Sequence, residues 1–283
     1  MKAEDGSTMS QLEKAAESRQ SRQASRRHAV SETVLKEGTV RIEDLAERFG
    51  VSLMTVHRDL DELESQGVLR KSRGMATAVS TSLIESSDMY RIGRQQAEKQ
   101  ALARAAMDYI EPGQAVFLDD STTVRYMARW LSEKTPLTII TNVLTLINEL
   151  NEVRGISLVG LGGTYYNWCK SFMGRITTEE IRRLRTDILV MSTAAIVDGW
   201  CFHQQQETVE TKRAMFESAA TRILLADHTK FERRALYGMV HLTEFDHVIV
   251  DSGTSPDVVT RLRGEGVDVI VAPTASADDL GVA

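Results

Sequence analysis

From Ala115 onward the chain keeps repeating one pattern: a short apolar run, then a stretch with helical spacing. The apolar runs are Ala115–Leu118, Leu137–Thr141, Ile156–Leu161, Ile188–Ser192, Ile223–Ala226, Val248–Val250 and Val267–Val271. Helical stretches such as Val124–Leu131, Thr178–Leu184 and Thr208–Ala220 lie between most of them. This alternation admits few architectures. Strands joined through helices run parallel, and a parallel sheet needs both of its faces covered. The expected fold class is α/β, with a Rossmann-like, mostly parallel sheet and helices on both faces. No internal repeat is visible.

The residues before Ala115 follow another rhythm. Residues 1–25 are polar, with almost no large apolar side chain, and read as a disordered leader without the apolar core of a signal peptide. Val30, Val34 and Leu35 then share a helical face, which Gly38 ends, and Thr39-Val40-Arg41 is a short extended piece. Ile42, Leu45, Ala46 and Phe49 recur with the spacing of one buried helix face. Gly50 suits a left-handed turn, and Ser52 suits the cap of a second helix. Val56, Leu60 and Leu63 bury one face of that helix, and Gly67 ends it. Residues 68–75 resemble a two-strand wing with a basic tip. The expected domains are a winged helix-turn-helix over 26–76, a Ser/Thr-rich linker over 77–87 and the α/β domain over 88–283. The last opens with a long helix from about Asp88 to Ile110, stopped by Pro112-Gly113.

A helix with a buried Val/Leu stripe can present its N-terminal side chains to base edges in a major groove. Here those are Ser52, Met54, Thr55, His57 and Arg58, and wing residues Arg70, Lys71 and Arg73 can meet phosphates. The plainer alternative is a helical subdomain that contacts protein. The chain's net charge is −6, but between Arg22 and Arg73 basic residues slightly outnumber acidic ones, and local charge is what DNA feels. One such domain contacts little DNA, so a homo-oligomer on repeated half-sites is expected.

In an open parallel sheet, ligands bind beyond the carboxyl ends of the strands. The segments there are Asp119-Asp120-Ser121-Thr122-Thr123, then Thr141-Asn142, then Gly160 to Gly163, then Ala194 to Gly199 with Asp198, and lastly Asp227 to Lys230. Ser121, Thr122 and Thr123 at a helix start suit an anion. Gly162 and Gly163 allow close backbone approach. Each has a bland alternative: a cap, a turn, or for Lys230 a solvated side chain. Their clustering at one sheet edge favours a site. The run His203 to Gln206 before Glu207 divides evenly between pocket lining and solvated loop.

The run Asp44-Leu45-Ala46-Glu47-Arg48-Phe49-Gly50-Val51-Ser52-Leu53-Met54-Thr55-Val56-His57-Arg58-Asp59-Leu60, continued by Gly67 to Lys71, resembles the DeoR family of repressors. That family has two arginines where His57-Arg58 stands, and His-Gly-Gly-Ala where Arg73-Gly74-Met75-Ala76 stands. Its loop Asp-x-Gly-Thr-Thr is matched by Asp119 to Thr123, with Ser121 for glycine. Thr141-Asn142, Gly162-Gly163, Glu210-Thr211-Lys212-Arg213-Ala214-Met215 and Asp227-His228-Thr229-Lys230-Phe231 also match. The resemblance implies a sensor domain like the sugar-phosphate isomerase fold, a phosphorylated sugar or polyol effector, and repression of a sugar or polyol operon. Asp119, Asp120, Ser121, Thr122, Thr123, Thr141, Asn142, Gly162, Gly163, Asp198, Glu207 and Lys230 are the candidate effector residues.

An isomerase with an extra N-terminal domain is the competing reading, since Asp119, Asp120, Asp198 and Glu207 offer carboxylates for proton transfer. The fused DNA-reading module favours sensing, so no catalytic residue is assigned. Cys169 and Cys201 have no metal-like spacing and, with the histidines, suggest neither metal nor cofactor. Two unpatterned cysteines fit a reducing cytoplasm, and no apolar run is long enough to span a membrane.

Overall fold

A computed structural model describes residues 23, 25–27, 29–34, 37–65, 69–78 and 91–274. Most of the expected leader lies outside these residues, although Gln23 and Ser25 are already helical. Leu35, Gly67 and the linker beyond Ala78 also lie outside, while Thr77 and Ala78 are strand. The chain divides into two compact units, residues 1–90 and 91–283.

The first unit is a winged helix-turn-helix. Helix α1 (described over 25–27 and 29–34) is followed by β1 (Thr39–Arg41), α2 (Ile42–Phe49) and α3 (Leu53–Ser65). Gly50 closes α2 at φ 61°, and its left-handed turn redirects the chain into α3. Val30, Val34, Ile42, Leu45, Val56, Leu60 and Leu63 form the core. The wing is β2 (Leu69–Ser72) and β3 (Met75–Ala78), and β1 joins it in the antiparallel order β1-β3-β2. Buried Asp59 was not legible as such: it takes Arg26 Nε at 2.6 Å and Arg27 Nε at 3.2 Å, tying α1 to α3.

The second unit holds a seven-stranded parallel sheet. Its strands are β4 (Ala115–Leu118), β5 (Leu137–Thr141), β6 (Ile156–Gly160), β9 (Thr186–Ser192), β12 (Ala219–Ala226), β14 (His247–Asp251) and β15 (Val269–Ala272). They lie in the order β15-β14-β12-β9-β4-β5-β6, with every neighbouring pair parallel. Successive side chains feed opposite cores. Phe117, Ile140, Leu189, Met191 and Leu224 belong to one cluster, and Val116, Leu118, Ile139, Val190 and Ile223 to the other. The first face is covered by α7 (Arg175–Arg182), α8 (Gln206–Ser218) and α9 (Pro256–Gly264) through Ile181, Met215 and Leu262. The second is covered by α4 (Gln96–Ala106), α5 (Thr122–Arg125) and α6 (Leu144–Leu150) through Leu102, Val124 and Leu146.

Three expectations need correcting. The helix from Asp88 to Ile110 is not continuous: residues 91–92 are helical, the chain turns at 93–95 with Gln95 at φ 48°, and α4 starts only at Gln96. The helix expected over Val124–Leu131 is four residues of α5 followed by tight turns at Tyr126–Arg129 and Leu131–Lys134. Two small antiparallel sheets were not foreseen: β7 (Thr164–Tyr166) with β8 (Ser171–Met173), and β10 (Ala195–Val197), β11 (Trp200–His203) and β13 (Tyr237–His241).

Candidate nucleic-acid interface and buried polar site

Helix α3 separates its two faces cleanly. Val56, Leu60 and Leu63 are buried, while Met54 is 66% exposed and Ser52 and Arg58 are exposed; Thr55 and His57 are half-buried. Ser52 caps the helix, its Oγ accepting the Thr55 N–H at 3.2 Å. In the wing, Arg70 and Arg73 are exposed, and Arg73 and Gly74 make the two-residue hairpin turn at φ 50° and 76°. Lys71 differs from its expectation as a plain phosphate contact: its amino group pairs with Asp61 of α3, and its backbone N–H donates to Glu64 at 2.7 Å. A DNA phosphate would have to compete with Asp61 for it.

In the second unit the loops after β4 and β9 meet around one lysine. Lys212, on the inner face of α8, contacts Asp119 Oδ2 and lies 2.9 Å from Asp120 Oδ1 and 3.1 Å from the Ser192 carbonyl. All three side chains are buried. Asp119 also accepts the Ser121 N–H at 3.0 Å and the Ser192 N–H at 2.9 Å. Burial opposes the charge on Lys212, but the two carboxylates outweigh it and raise its pKa. Burial likewise opposes ionisation of Asp120, yet Lys212 and Arg91 hold its carboxyl below the usual range. His203, buried beside the group, is driven down to about 3 by desolvation and is neutral near pH 7. Its charge balance is also influenced by Asp120, Lys212, Arg91 and Lys230.

Lys230 is not the solvated side chain its type suggests. It is 6% exposed and 3.6 Å from Asp227, whose carboxyl, despite burial, it helps lower. Thr122, Thr123 and Thr141 are buried, and Ser121 Oγ is spent as the cap on Val124 N–H at 3.2 Å. Helix α5 is too short to offer the dipole expected of it. Asn142 Nδ2 donates to the Phe172 carbonyl at 2.7 Å, bracing β8. Gly163 is required by packing, because a Cβ there would collide with Thr177 Oγ1. Asp198 stands apart, exposed at φ 49° in the β10–β11 turn. Glu207 is half-buried in the first turn of α8, beside Tyr166.

Sequence reasoning missed Lys212 and Arg91 as site residues and left His203 undecided. The signal for Lys212 was present: with Thr208, Thr211 and Met215 it falls on the buried stripe of α8. Burial pushes both cysteine thiols up to about 12, so neither is a thiolate near neutrality. Glu98, His228 and Asp251 place ligand atoms within 4.8 Å of one another. Asp251 is already taken there by His228 Nδ1 at 2.9 Å and the Gly253 N–H at 2.9 Å. Lys212 does not line the clefts of about 350 and 370 Å³, the larger of which is lined by Ile92, Thr122, Arg125 and Arg129.

An exposed recognition helix with a wing, ahead of a parallel sheet with polar loops at its carboxyl edge, defines a transcription regulator carrying a sensor domain. The chain belongs to the DeoR family: residues 26–82 match the DeoR-like helix-turn-helix domain and residues 94–252 the DeoR C terminal sensor domain. It is 32% identical to the transcriptional repressor AccR of Agrobacterium fabrum, over 83% of this chain and 92% of that one. It is 31% identical to the glycerol-3-phosphate regulon repressor of Escherichia coli, over 88% and 98%. It is 32% identical to the lactose phosphotransferase system repressor of Staphylococcus aureus, over 78% and 89%. Among the described residues no helix is long and apolar enough to cross a membrane.

Proposed function

We propose that the chain represses a sugar or polyol catabolic operon and leaves its operator when a phosphorylated sugar or polyol binds the second unit. The convergence of Asp119, Asp120, Lys212, His203 and Lys230 at the carboxyl edge of the sheet carries this reading. The ester's anion is assigned to Thr122, Thr123 and Lys230, and its body to Thr141, Asn142, Gly162 and Gly163. Ser52, Met54, Thr55, His57 and Arg58 read bases, and Arg70, Lys71 and Arg73 meet phosphates. The protein acts as a homo-oligomer in the cytoplasm, on repeated half-sites. The regulators named among its relatives support this over an isomerase.

Selection from a random DNA library defines the operator, and fluorescence anisotropy then follows its release by a panel of sugar and polyol phosphates. Release by at least one ester, with no turnover of any, is the expected result. Turnover of an ester without an effect on DNA binding would establish the isomerase instead.

A further inference from the structure

Two acceptors at the sheet edge lack donors. Asp120 Oδ2 and Asn142 Oδ1 are buried, and among the described residues neither has a hydrogen-bond partner. The donors of Lys212 and of the Asn142 amide are committed elsewhere. An ammonium has three N–H donors, and those of Lys212 face Asp119, Asp120 Oδ1 and the Ser192 carbonyl. Asn142 Nδ2 donates to the Phe172 carbonyl, which fixes the amide's orientation and leaves Oδ1 as the acceptor. Leu118 pairs in register with Thr141, so the chain leaves the sheet at Asp119-Asp120 and at Asn142 on adjacent strands. A buried acceptor without a donor is a cost that a suitable ligand removes.

We propose that Asp120 Oδ2 and Asn142 Oδ1 together recognise hydroxyl groups of the effector, with Asp120 the residue that selects a polyhydroxylated ligand. This rests on the effector reading above and adds which end of the ligand lies where. Two acceptors, one of them anionic, repel a phosphate, so the anion stays with Thr122, Thr123 and Lys230. The carboxylate persists at neutral pH because Lys212 and Arg91 favour its charge. A ligand ammonium would meet Lys212, Lys230 and Arg91, whereas a neutral hydroxyl donor meets no such repulsion. Of the groups bearing on Asp120, Lys212 and His203 are buried and Arg91 is half-buried.

The test uses the full chain and calorimetric titration. Probes are ribose 5-phosphate, glucose 6-phosphate, glycerol 3-phosphate, glucitol, ribitol and inorganic phosphate, followed by each monodeoxy analogue of the tightest binder. Asp120→Asn keeps the volume and the contact to Lys212 but turns the free acceptor into a donor. Asp120→Leu removes both oxygens, and ligand-free melting shows which variant is folded. The wild type is expected to lose at least about tenfold in affinity when one particular hydroxyl is removed, as for a hydrogen bond to a charged group. The folded variant is expected to show less than about a third of that ratio, mainly through weaker binding of the hydroxylated probe. Equal ratios in wild type and variant, or tight binding of every deoxy analogue, overturn the assignment. If only unphosphorylated polyols bind and Asp120→Asn removes their selectivity, the assignment stands and the phosphate reading falls. If inorganic phosphate alone binds, or no probe does, the assignment falls.

Discussion

Lys212 puts one positive charge between two buried carboxylates, and such a group is strongly coupled to its surroundings. Removing one partner of a buried ion pair costs about 3–5 kcal/mol, because the other charge is left without compensation. Lys212→Met leaves Asp119 and Asp120 facing each other in an interior position. At roughly 2–4 °C per kcal/mol for a unit of this size, its melting temperature is expected to fall by about 6–20 °C; a fall below about 2 °C would mean that the cluster does not hold the fold. His228 gives a milder effect with a pH signature. Desolvation lowers its pKa, but the hydrogen bond and charge of Asp251 overcome this and raise it. A raised histidine pKa means that the folded state binds the proton more tightly than the unfolded one. Its contribution is therefore complete below the unfolded value of about 6.5 and fades as pH rises through the folded value. Melting of wild type and His228→Asn from about pH 6 to 8.5 should show the wild-type advantage shrinking as pH rises; an advantage that grew would reverse the assignment.

At the scale of elements, neighbours in sequence divide between stability and recognition. Arg58 and Asp59 are adjacent on α3, yet Arg58 is exposed and Asp59 is buried against Arg26 and Arg27. Arg58→Ala is expected to weaken operator binding by about 1–3 kcal/mol with melting unchanged, whereas Asp59→Ala should lower the melting temperature first. Wild-type operator affinity in Arg58→Ala would overturn the assignment of α3 as the reading helix. The core of α3 was legible because Val56, Leu60 and Leu63 keep a helical period. Asp59 was not, because its pairing partners are two arginines 33 and 32 residues earlier in the chain. The inner strands of the sheet were legible for a different reason: β4 and β14, for example, are short apolar runs buried on both faces. The hairpins β7–β8 and β10–β11 were not, since strands of three and four residues carry too little periodicity. The break before α4 comes at Gln95, in a left-handed conformation, and an arginine- and glutamine-rich stretch does not announce it. At the site, the loops after the strands were legible from their small polar residues. Lys212 and Arg91 come from elsewhere in the chain, and only the fold brings them to Asp120.

For the molecule as a whole, the question is how a ligand in the second unit changes DNA binding by the first. A ligand shifts such an equilibrium only through its different affinity for DNA-competent and DNA-incompetent states. Linkage makes the coupling reciprocal, so operator DNA must weaken ligand binding by the factor by which ligand weakens operator binding. For the phosphate ester that releases DNA most effectively, ligand affinity is expected to fall about 5–150-fold when operator is present, the usual span of such couplings. In the site proposed above the anion pairs with Lys230, which is buried, and a hydrogen bond to a charged group is worth about 1.5–3 kcal/mol. Lys230→Ala should therefore raise the ester concentration needed for half-release by about tenfold or more. The paired measurement separates two kinds of failure. If ligand affinity is the same with and without operator, the ester is not the effector, whatever it does to melting. If affinity depends on operator but Lys230→Ala and Thr122→Ala both respond like wild type, the ester is the effector and its anion lies elsewhere, with the cleft of Thr122, Arg125 and Arg129 the next place to test.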